Sequence, residues 1–218
     1  NLGRLITVKT SEMVKPLTQL EQSRNFFVSV ANQLLEEQFP GSGRKYVIDM
    51  HNSDVVDDVI TYFSKALPSR LDKSKSLLIQ GPTGTGKTFI FQVMDRIIKM
   101  FPDKYIYQLE FVECLGLEDR FRQKKYEYFE RLKGNTRPNE PVNKIQTHII
   151  LNDLGLEQVI KFKNQPEIDL VSQILWNRDL NNLPFHITTN LNATMIEERY
   201  GTRIRDRLRG RCNLLKLH

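Results

Sequence analysis

Residues 81–88 read Gly-Pro-Thr-Gly-Thr-Gly-Lys-Thr, which matches the full phosphate-loop spacing G-x-x-x-x-G-K-[ST]. Glycines at these positions let successive backbone N–H groups turn toward a polyphosphate. Lys87 has the length and charge to contact the β- and γ-phosphates, and the Thr88 hydroxyl can ligate Mg²⁺. The motif predicts a nucleotide site made of Gly81, Pro82, Thr83, Gly84, Thr85, Gly86, Lys87 and Thr88.

The sequence on both sides of this loop has the form that a phosphate site needs. Residues 76–80, Ser-Leu-Leu-Ile-Gln, form a short apolar run typical of a buried strand, and residues 88–94 open a helix. The positive end of that helix dipole favours a bound anion. A glycine-rich turn that binds no nucleotide is the alternative, and the strand–loop–helix context disfavours it.

A pair of polar residues, Asn152 and Asp153, follows another apolar strand, which is predicted at 147–151. A nucleotide hydrolase needs acidic groups at the end of a neighbouring strand, where they hold Mg²⁺ and orient the attacking water. Asn152 can accept a hydrogen bond from a metal-bound water but brings no charge. We therefore predict a metal site of Thr88, Asn152 and Asp153, in which Asp153 holds the metal, activates water or does both. An ordinary aspartate at a strand end is the alternative.

Two further polar elements follow along the chain. Asn190 comes directly after an apolar strand predicted at 185–189, and its amide suits the sensing of a γ-phosphate, although turns also favour asparagine. Residues 199–211 contain six arginines. On a helix Arg203 and Arg207 share one face, and one of them could stabilise transition-state charge on the nucleotide of a neighbouring subunit. A basic helix that contacts nucleic acid or faces water is the alternative.

The elements that must position these residues alternate between strand and helix, which predicts an α/β fold with a parallel sheet and right-handed crossovers. Strands are predicted at 76–80, 105–111, 147–151 and 185–189, helices at 54–67, 89–100, 117–132 and 168–180, and a loop at 134–141. Residues 1–45 are predicted to be a separate N-terminal segment with a helix over 18–39. Residues 46–218 are predicted to form the nucleotide-binding domain.

Composition places the chain among globular proteins of the cytoplasm. A length of 218 residues suits one α/β domain with a small appendage. Only Cys114 and Cys212 are present, which fits a reducing compartment, and no apolar run reaches the length of a membrane span. The net charge of +6 is compatible with binding to nucleic acid, and it is equally compatible with a solvated basic surface.

In this order and spacing, the four elements resemble the AAA+ ATPase domain of bacterial replicative-helicase loaders of the DnaC/DnaI type. IstB-type transposition helpers are close relatives of that family. The resemblance covers about residues 50–213, and its most specific stretches are 150–157, 175–178, 183–191 and 200–208. It implies an α/β, parallel-sheet P-loop NTPase of AAA+ type that binds ATP and Mg²⁺.

The resemblance also implies roles for single residues. Lys87, Asp153 and Asn190 fall on catalytic positions, with Asn190 as sensor 1, and Arg207 on the arginine finger, for which Arg203 is the other candidate. Glu157 matches a frequent family acid. The chain departs from the pattern at Asn152, where the family has the first acid of the Walker B pair, so hydrolysis is expected to be slow. No room follows the arginine element for the helical lid of most AAA+ proteins, and lidless loaders share that feature.

In this family the segment between the second and third strands contacts single-stranded DNA. Here it mixes basic and aromatic side chains, a combination that suits backbone charge and base stacking together. The candidate DNA-binding residues are Arg120, Arg122, Lys124, Lys125 and Arg131. An amphipathic helix that buries its aromatic residues in the core is the alternative.

The function implied by the resemblance is that of an ATP-dependent loader, which places a hexameric replicative helicase on single-stranded DNA. Such a protein would form a homo-oligomer on binding ATP and would have no membrane partner. Residues 1–45 would dock the helicase or pack on the ATPase domain. An IstB-like transposition helper and a nucleotide-gated adaptor with little hydrolysis are the alternatives.

Overall fold

A five-stranded parallel sheet organises the chain. The computed structural model describes residues 17–105, 107–134, 146–159 and 169–218, without the side chains of residues 124–126 and 146. The strands are β1 (Ser76–Gln80), β2 (Tyr107–Glu113), β3 (Gln146–Leu154), β4 (Phe185–Thr189) and β5 (Cys212–Lys216). Their order across the sheet is β2-β3-β4-β1-β5, and every neighbouring pair is parallel. The predicted parallel α/β fold is therefore confirmed.

Helices cover both faces of the sheet. They are α1 (Gln19–Gln38), α2 (Ser53–Phe63), α3 (Lys87–Met100), α4 (Leu117–Lys133), α5 (Leu170–Leu180) and α6 (Ala193–Arg211). Side chains of α1, α2 and α3 share one core with Leu77 and Ile79, while those of α4, α5 and α6 share the other with Leu78. This division follows from the alternation of side chains along a strand.

Helix α1 shares a hydrophobic core with α2, α3 and β1. Thr18 caps it through a capping box with Glu21, and Phe27 and Val30 are buried against α2 and α3. The helix predicted over 18–39 is thus present. Residues 1–16 of the predicted N-terminal segment lie outside the described residues, and the predicted role of 1–45 in partner docking stays a prediction.

Several predicted boundaries shift by a few residues. Helix α2 ends at Phe63 rather than 67, because Ser64 adopts an extended backbone. Strand β2 runs two residues further than predicted, to Glu113, and β3 three residues further, to Leu154. The predicted start of the fourth helix at 168 and residues 135–141 of the predicted loop lie outside the described residues.

Strand β5 was not predicted, and it closes the sheet beside the phosphate loop. It pairs with β1 over its whole length, from Ser76↔Cys212 to Gln80↔Lys216, and the Leu217 amide donates to the Gln80 carbonyl at 2.8 Å. A Cβ atom at Gly81 would lie 2.8 Å from the Leu217 carbonyl oxygen, which leaves room only for glycine. Within the described residues, no helix is both long and apolar enough to cross a membrane.

Candidate nucleotide site

Three adjacent parallel strands bring the predicted site residues together. Because β1, β3 and β4 are neighbours and run the same way, their carboxyl ends meet at one edge of the sheet. The phosphate loop follows β1, Asn152 and Asp153 lie in the last residues of β3, and Asn190 follows β4. The polar elements that are far apart in sequence therefore form one site.

The phosphate loop has the backbone geometry of an anion cradle. Gly84 and Gly86 have φ angles of +86° and +83°, a region that disfavours residues with a Cβ atom. Gly86 is the N-cap of α3, and Lys87 is the first residue of that helix. The unpaired N–H groups of the first turn and the positive end of the helix dipole thus lie at the loop.

Lys87 is buried in the loop, and its ammonium group donates three hydrogen bonds. Its Nζ donates to the carbonyls of Gly81 and Pro82, both at 2.8 Å, and to Asn190 Oδ1 at 2.6 Å. Burial lowers the pKa of Lys87, and the nearby Asp153 carboxylate acts in the opposite direction. A polyphosphate would replace these neutral acceptors with charged oxygens, which form stronger hydrogen bonds.

Asn190 connects the end of β4 to the phosphate loop. Its Oδ1 accepts from Lys87, and its Nδ2 donates to Thr83 Oγ1 at 3.0 Å. The amide therefore contacts two residues of the loop. Its predicted role in sensing phosphate stays a prediction.

Asn152 is the centre of a buried hydrogen-bond network. Its Oδ1 accepts from Thr88 Oγ1 at 2.6 Å and from Thr188 Oγ1 at 2.7 Å. Its Nδ2 donates to Glu113 Oε2 at 2.7 Å. The hydroxyl that the motif assigns to Mg²⁺ is thus held by the residue at the first Walker B position.

Asp153 lies at an irregularity of β3 and carries an unpartnered carboxylate. The β3–β4 register shifts between Leu151 and Leu154, and Asp153 has a φ of 54°, which is uncommon outside glycine. Its backbone N–H donates to Thr188 Oγ1 at 2.8 Å. Its carboxylate has no hydrogen bond or ion pair within the described part of the chain. Strained backbone of this kind is often found at functional sites.

The oxygen atoms at this edge fit Mg²⁺ bound together with a nucleotide. The ion prefers one or two carboxylates plus phosphates and waters to a full protein cage. Thr88, Asn152 and Asp153 supply a hydroxyl, an amide oxygen and a carboxylate. Accordingly, the described residues contain no group of three or more His, Cys, Asp or Glu side chains arranged to hold a metal ion.

Comparisons with known proteins support this fold. A protein described as a primosome component from Streptococcus pyogenes serotype M3 superposes with a TM-score of 0.54 at 17% identity, covering 79% of this chain and 82% of its own. The DnaI structure gives 0.52 at 19% identity, covering 84% and 90%. The chain shares the fold of these proteins, a parallel α/β sheet with the phosphate loop directly after β1. No family model matches the sequence, and no curated protein matches it.

Arg207 lies away from the chain's own phosphate loop. Its guanidinium is ion-paired with Asp179, and its Cζ lies 3.8 Å from the ring centroid of Trp176. Arg211 Nε contacts the same Asp179 carboxylate at 3.0 Å. Arg203 is exposed and makes no polar contact among the described residues. Neither arginine contacts the nucleotide site of its own chain, so a catalytic role for either would require a second subunit.

The Glu157 carboxylate is hydrogen-bonded to three other residues. It is 6% exposed, and its carboxylate accepts from the Gly155 amide at 3.0 Å, from Arg199 Nε at 3.1 Å and from the Tyr200 hydroxyl. These contacts fasten the loop after β3 to α6. They account for an acid whose role the sequence did not explain.

Helix α4 uses two of the candidate DNA-binding residues inside the protein. Arg120 Nη2 donates to the carbonyls of Glu113 and Leu115 at the end of β2, and Arg131 forms a two-point ion pair with Glu110 at 2.6 and 2.8 Å. Arg122 also makes contacts within the protein. The side chains of Lys124 and Lys125 lie outside the described residues.

Some aromatic residues of α4 also pack inside the protein. Phe129 is buried, and Phe121 packs edge-on against it with ring centroids 5.3 Å apart. These two rings serve the core. Tyr128 is partly buried, with Arg131 over its ring, and the Tyr126 side chain lies outside the described residues. DNA binding by α4 stays a prediction.

Two site residues were missed by the sequence analysis. Glu113 was not considered because the second strand was predicted to end at 111, two residues before it. Thr188 was treated only as part of a strand. The register of a parallel sheet, in which the ends of neighbouring strands lie side by side, was the signal that could have found both.

Proposed function

We propose that this protein is an ATP-dependent loader that places a hexameric replicative helicase on single-stranded DNA during the initiation of replication. The observation that carries the proposal is the meeting of two hydrogen-bonded pairs, Lys87–Asn190 and Thr88–Asn152, at one edge of the sheet. Its fold neighbours include DnaI and a protein described as a primosome component. The proposed setting is the cytoplasm, with assembly into a homo-oligomer when ATP binds.

In the proposed hydrolysis of ATP, each residue of the site has a different role. The loop amides and Lys87 bind the phosphates and exclude water from one side. Mg²⁺, when bound, neutralises charge on the β- and γ-phosphates. Asp153, whose carboxylate has no partner in the described structure, accepts the proton of the attacking water, and Asn190 orients that water.

Slow hydrolysis is part of the proposal because Asn152 carries no charge. A neutral first position weakens the attraction for the metal while leaving the phosphate loop intact. The same observation favours a second candidate function, a nucleotide-gated adaptor that binds ATP and hardly turns it over. The two candidates differ in turnover and agree on binding.

Replacing Lys87 by alanine tests the site. We expect Lys87→Ala to abolish binding at micromolar ATP, because the charge directed at the phosphates is lost, as measured by calorimetry or with a fluorescent ATP analogue. Lys99→Ala is the matched control, because Lys99 is on the same helix and pairs with Asp95 at 2.7 Å. A folded Lys87→Ala protein with wild-type ATP affinity would refute the assignment.

Turnover and partner capture complete the test. Asp153→Asn should keep ATP binding and lose residual turnover, since the amide cannot accept the proton. If it turns over ATP at the wild-type rate, another group is the base. Co-purification with the replicative helicase of the same genome separates the loader from other ATP-dependent functions. In the presence of ATP, the wild-type protein should bind the helicase and the Lys87→Ala variant should not.

A further inference from the structure

Glu113 and Asn152 form a carboxylate–amide pair across two neighbouring strands. They are direct partners in the parallel register of β2 and β3, and Glu113 Oε2 accepts from Asn152 Nδ2 at 2.7 Å. Glu113 is exposed, whereas Asn152 is 5% exposed. The pair therefore connects the buried centre of the site with a negative charge at the surface of the same sheet edge.

The chemistry of the partners fixes the orientation of the Asn152 amide. An ionised carboxylate can only accept hydrogen bonds, so the nitrogen of the amide must face Glu113. The oxygen then faces the Thr88 and Thr188 hydroxyls, both of which donate to it. With its proton given to Asn152, the Thr88 hydroxyl keeps its lone pairs for a metal ion.

The result is a continuous relay from a carboxylate to the expected metal ligand. The charge of Glu113 polarises the Asn152 amide, which makes its oxygen a stronger acceptor, and hydrogen bonds in such chains strengthen one another. A stronger acceptor draws electron density toward Thr88 Oγ1. Outer ligands of this kind commonly change metal affinity by 10- to 100-fold.

Other charged groups near Glu113 leave this relay intact. Arg120 contacts Glu113, and its Nη2 donates to the backbone carbonyl of Glu113 rather than to the carboxylate. The second carboxylate oxygen, Oε1, has no hydrogen-bond partner within the residues that the structure describes. Asp153 adds a second negative charge at the same edge.

We propose that Glu113 is a positioning residue of the Mg²⁺ site and supplies, through Asn152, the negative charge that the first Walker B position lacks. The inference rests on the proposed function, because it assumes that the loop binds ATP with Mg²⁺. Compared with an aspartate on β3, the charge has moved to the neighbouring strand. The acid lies on β2 and the amide on β3, and one hydrogen bond joins them across the two strands.

The proposal predicts how single and double substitutions at Glu113 and Asn152 change the binding of Mg²⁺. Asn152→Asp alone would place two carboxylates against each other and remove the donor between them, so it should improve Mg²⁺ binding little or impair it. Glu113→Gln alone should weaken Mg²⁺ binding. The double variant Glu113→Gln/Asn152→Asp restores one acid and one amide in the opposite order, and it should bind Mg²⁺ at least as well as the wild type.

The experiment measures the binding of a non-hydrolysable ATP analogue as a function of Mg²⁺, and of Mn²⁺ by electron paramagnetic resonance. We expect Glu113→Gln to require about tenfold more of either ion, with unchanged affinity for the analogue in EDTA. Glu110→Gln is the matched control, because Glu110 is on the same strand and its carboxylate pairs with Arg131. The double variant should need no more metal than the wild type.

Three results would overturn the proposal. One is a Glu113→Gln protein with wild-type dependence on both ions. Another is an equal loss of affinity with and without metal, which would indicate a structural role only. A third is a double variant that binds metal no better than Glu113→Gln. If the wild-type protein binds no analogue under any condition, the proposed function fails together with this inference.

Discussion

At the amino end of the sheet, where the strands begin, the buried side chains of His186 and Arg178 are hydrogen-bonded within the protein, whereas at the carboxyl end the carboxylate of Asp153 has no partner among the described residues. His186, near the start of β4, is fully buried, and its Nδ1 accepts from the Leu77 amide at 3.1 Å. Its Nε2 therefore carries the proton and donates to His148 Nδ1, also at 3.1 Å. Tyr107 stacks on His148 with centroids 4.4 Å apart.

Arg178 completes the amino end by joining three elements. It is 3% exposed and donates to the carbonyls of Leu132, Thr147 and Pro184 at 2.8 to 3.2 Å. These carbonyls belong to the end of α4, the start of β3 and the residue before β4. Burial lowers the pKa of Arg178 to about 10, and Glu110 acts in the opposite direction.

The carboxyl end differs because a bound nucleotide and metal ion could replace the contacts that its polar groups make within the protein. Lys87 is held by neutral oxygens, and the carboxylate of Asp153 has no partner among the described residues. Under the proposed function, the same sheet uses polar groups for stability at one end and for ATP binding at the other. Substitutions at the two ends should separate these properties, since those at the carboxyl end should change function at little cost in stability.

The largest expected effect is that of Arg207→Ala on turnover. If Arg207 completes the nucleotide site of a neighbouring subunit, its loss should lower the rate by on the order of 10³ or more. ATP binding should change little, and the free energy of unfolding should fall by about 1 kcal/mol, because the ion pair with Asp179 and the contact with Trp176 are lost. Steady-state ATPase assays at several protein concentrations measure the effect.

Mixing and a matched control sharpen this prediction. Arg207→Ala mixed with Lys87→Ala should regain some activity, because one intact interface can form between the two proteins. Arg203→Ala is the control on the same face of α6. No rescue at any ratio, with both variants folded, would show that Arg207 does not act in trans, and loss of turnover in Arg203→Ala alone would move the role to Arg203.

The next effect is on stability at the amino end. Arg178→Met should lower the free energy of unfolding by about 3 kcal/mol or more, since three buried carbonyls lose their donor. Urea unfolding measures the loss. Arg178→Lys should recover only part of it, because one ammonium cannot reproduce the planar fork. The affinity for ATP of the folded protein should not change, and a large change would contradict the separation of the two ends.

A smaller effect concerns the dependence of stability on pH. Burial lowers the pKa of His148 to about 4, helped by the charge of Arg178, and lowers that of His186 well below its usual 6.5. Well above pH 6.5 neither the folded nor the unfolded chain protonates these rings. As the pH falls below that value, the unfolded chain takes up protons that the folded chain does not bind.

Stability should therefore decrease on acidification from pH 6.5 toward 5, by about 1.4 kcal/mol per pH unit for each histidine. Urea unfolding at pH 7, 6 and 5 measures the slope. His148→Gln, which keeps an acceptor for His186, should reduce the slope by about half. An unchanged slope in that variant would show that other groups cause the acid sensitivity.

The parts of the molecule that sequence could predict are those fixed by local patterns. Strands β1 and β4 were predicted residue for residue, because short apolar runs determine them. Glu113, β5 and the Asp179 partner of Arg207 were not. Their importance depends on which strands and helices become neighbours, and the sequence near them carries no signal of that arrangement. The register of the sheet, rather than any motif, places Glu113 beside Asn152.

The smallest expected effect concerns DNA binding by α4, the helix that connects the two ends of the sheet. For single strands, log K falls with log[salt] by about 0.7 for each phosphate contact. Arg131 is already paired with Glu110, so Arg131→Ala should flatten that slope by less than one full contact. Lys124→Ala/Lys125→Ala should flatten it by up to about 1.4 if both contact phosphate.

Fluorescence anisotropy with labelled oligonucleotides of several sequences measures the slope. The salt concentration is varied from about 50 to 300 mM, about the range in which such slopes are resolved. Equal slopes in the double lysine variant and the wild type would show that α4 is a solvated helix, and the exposed arginines of α6 would then be the better DNA candidates.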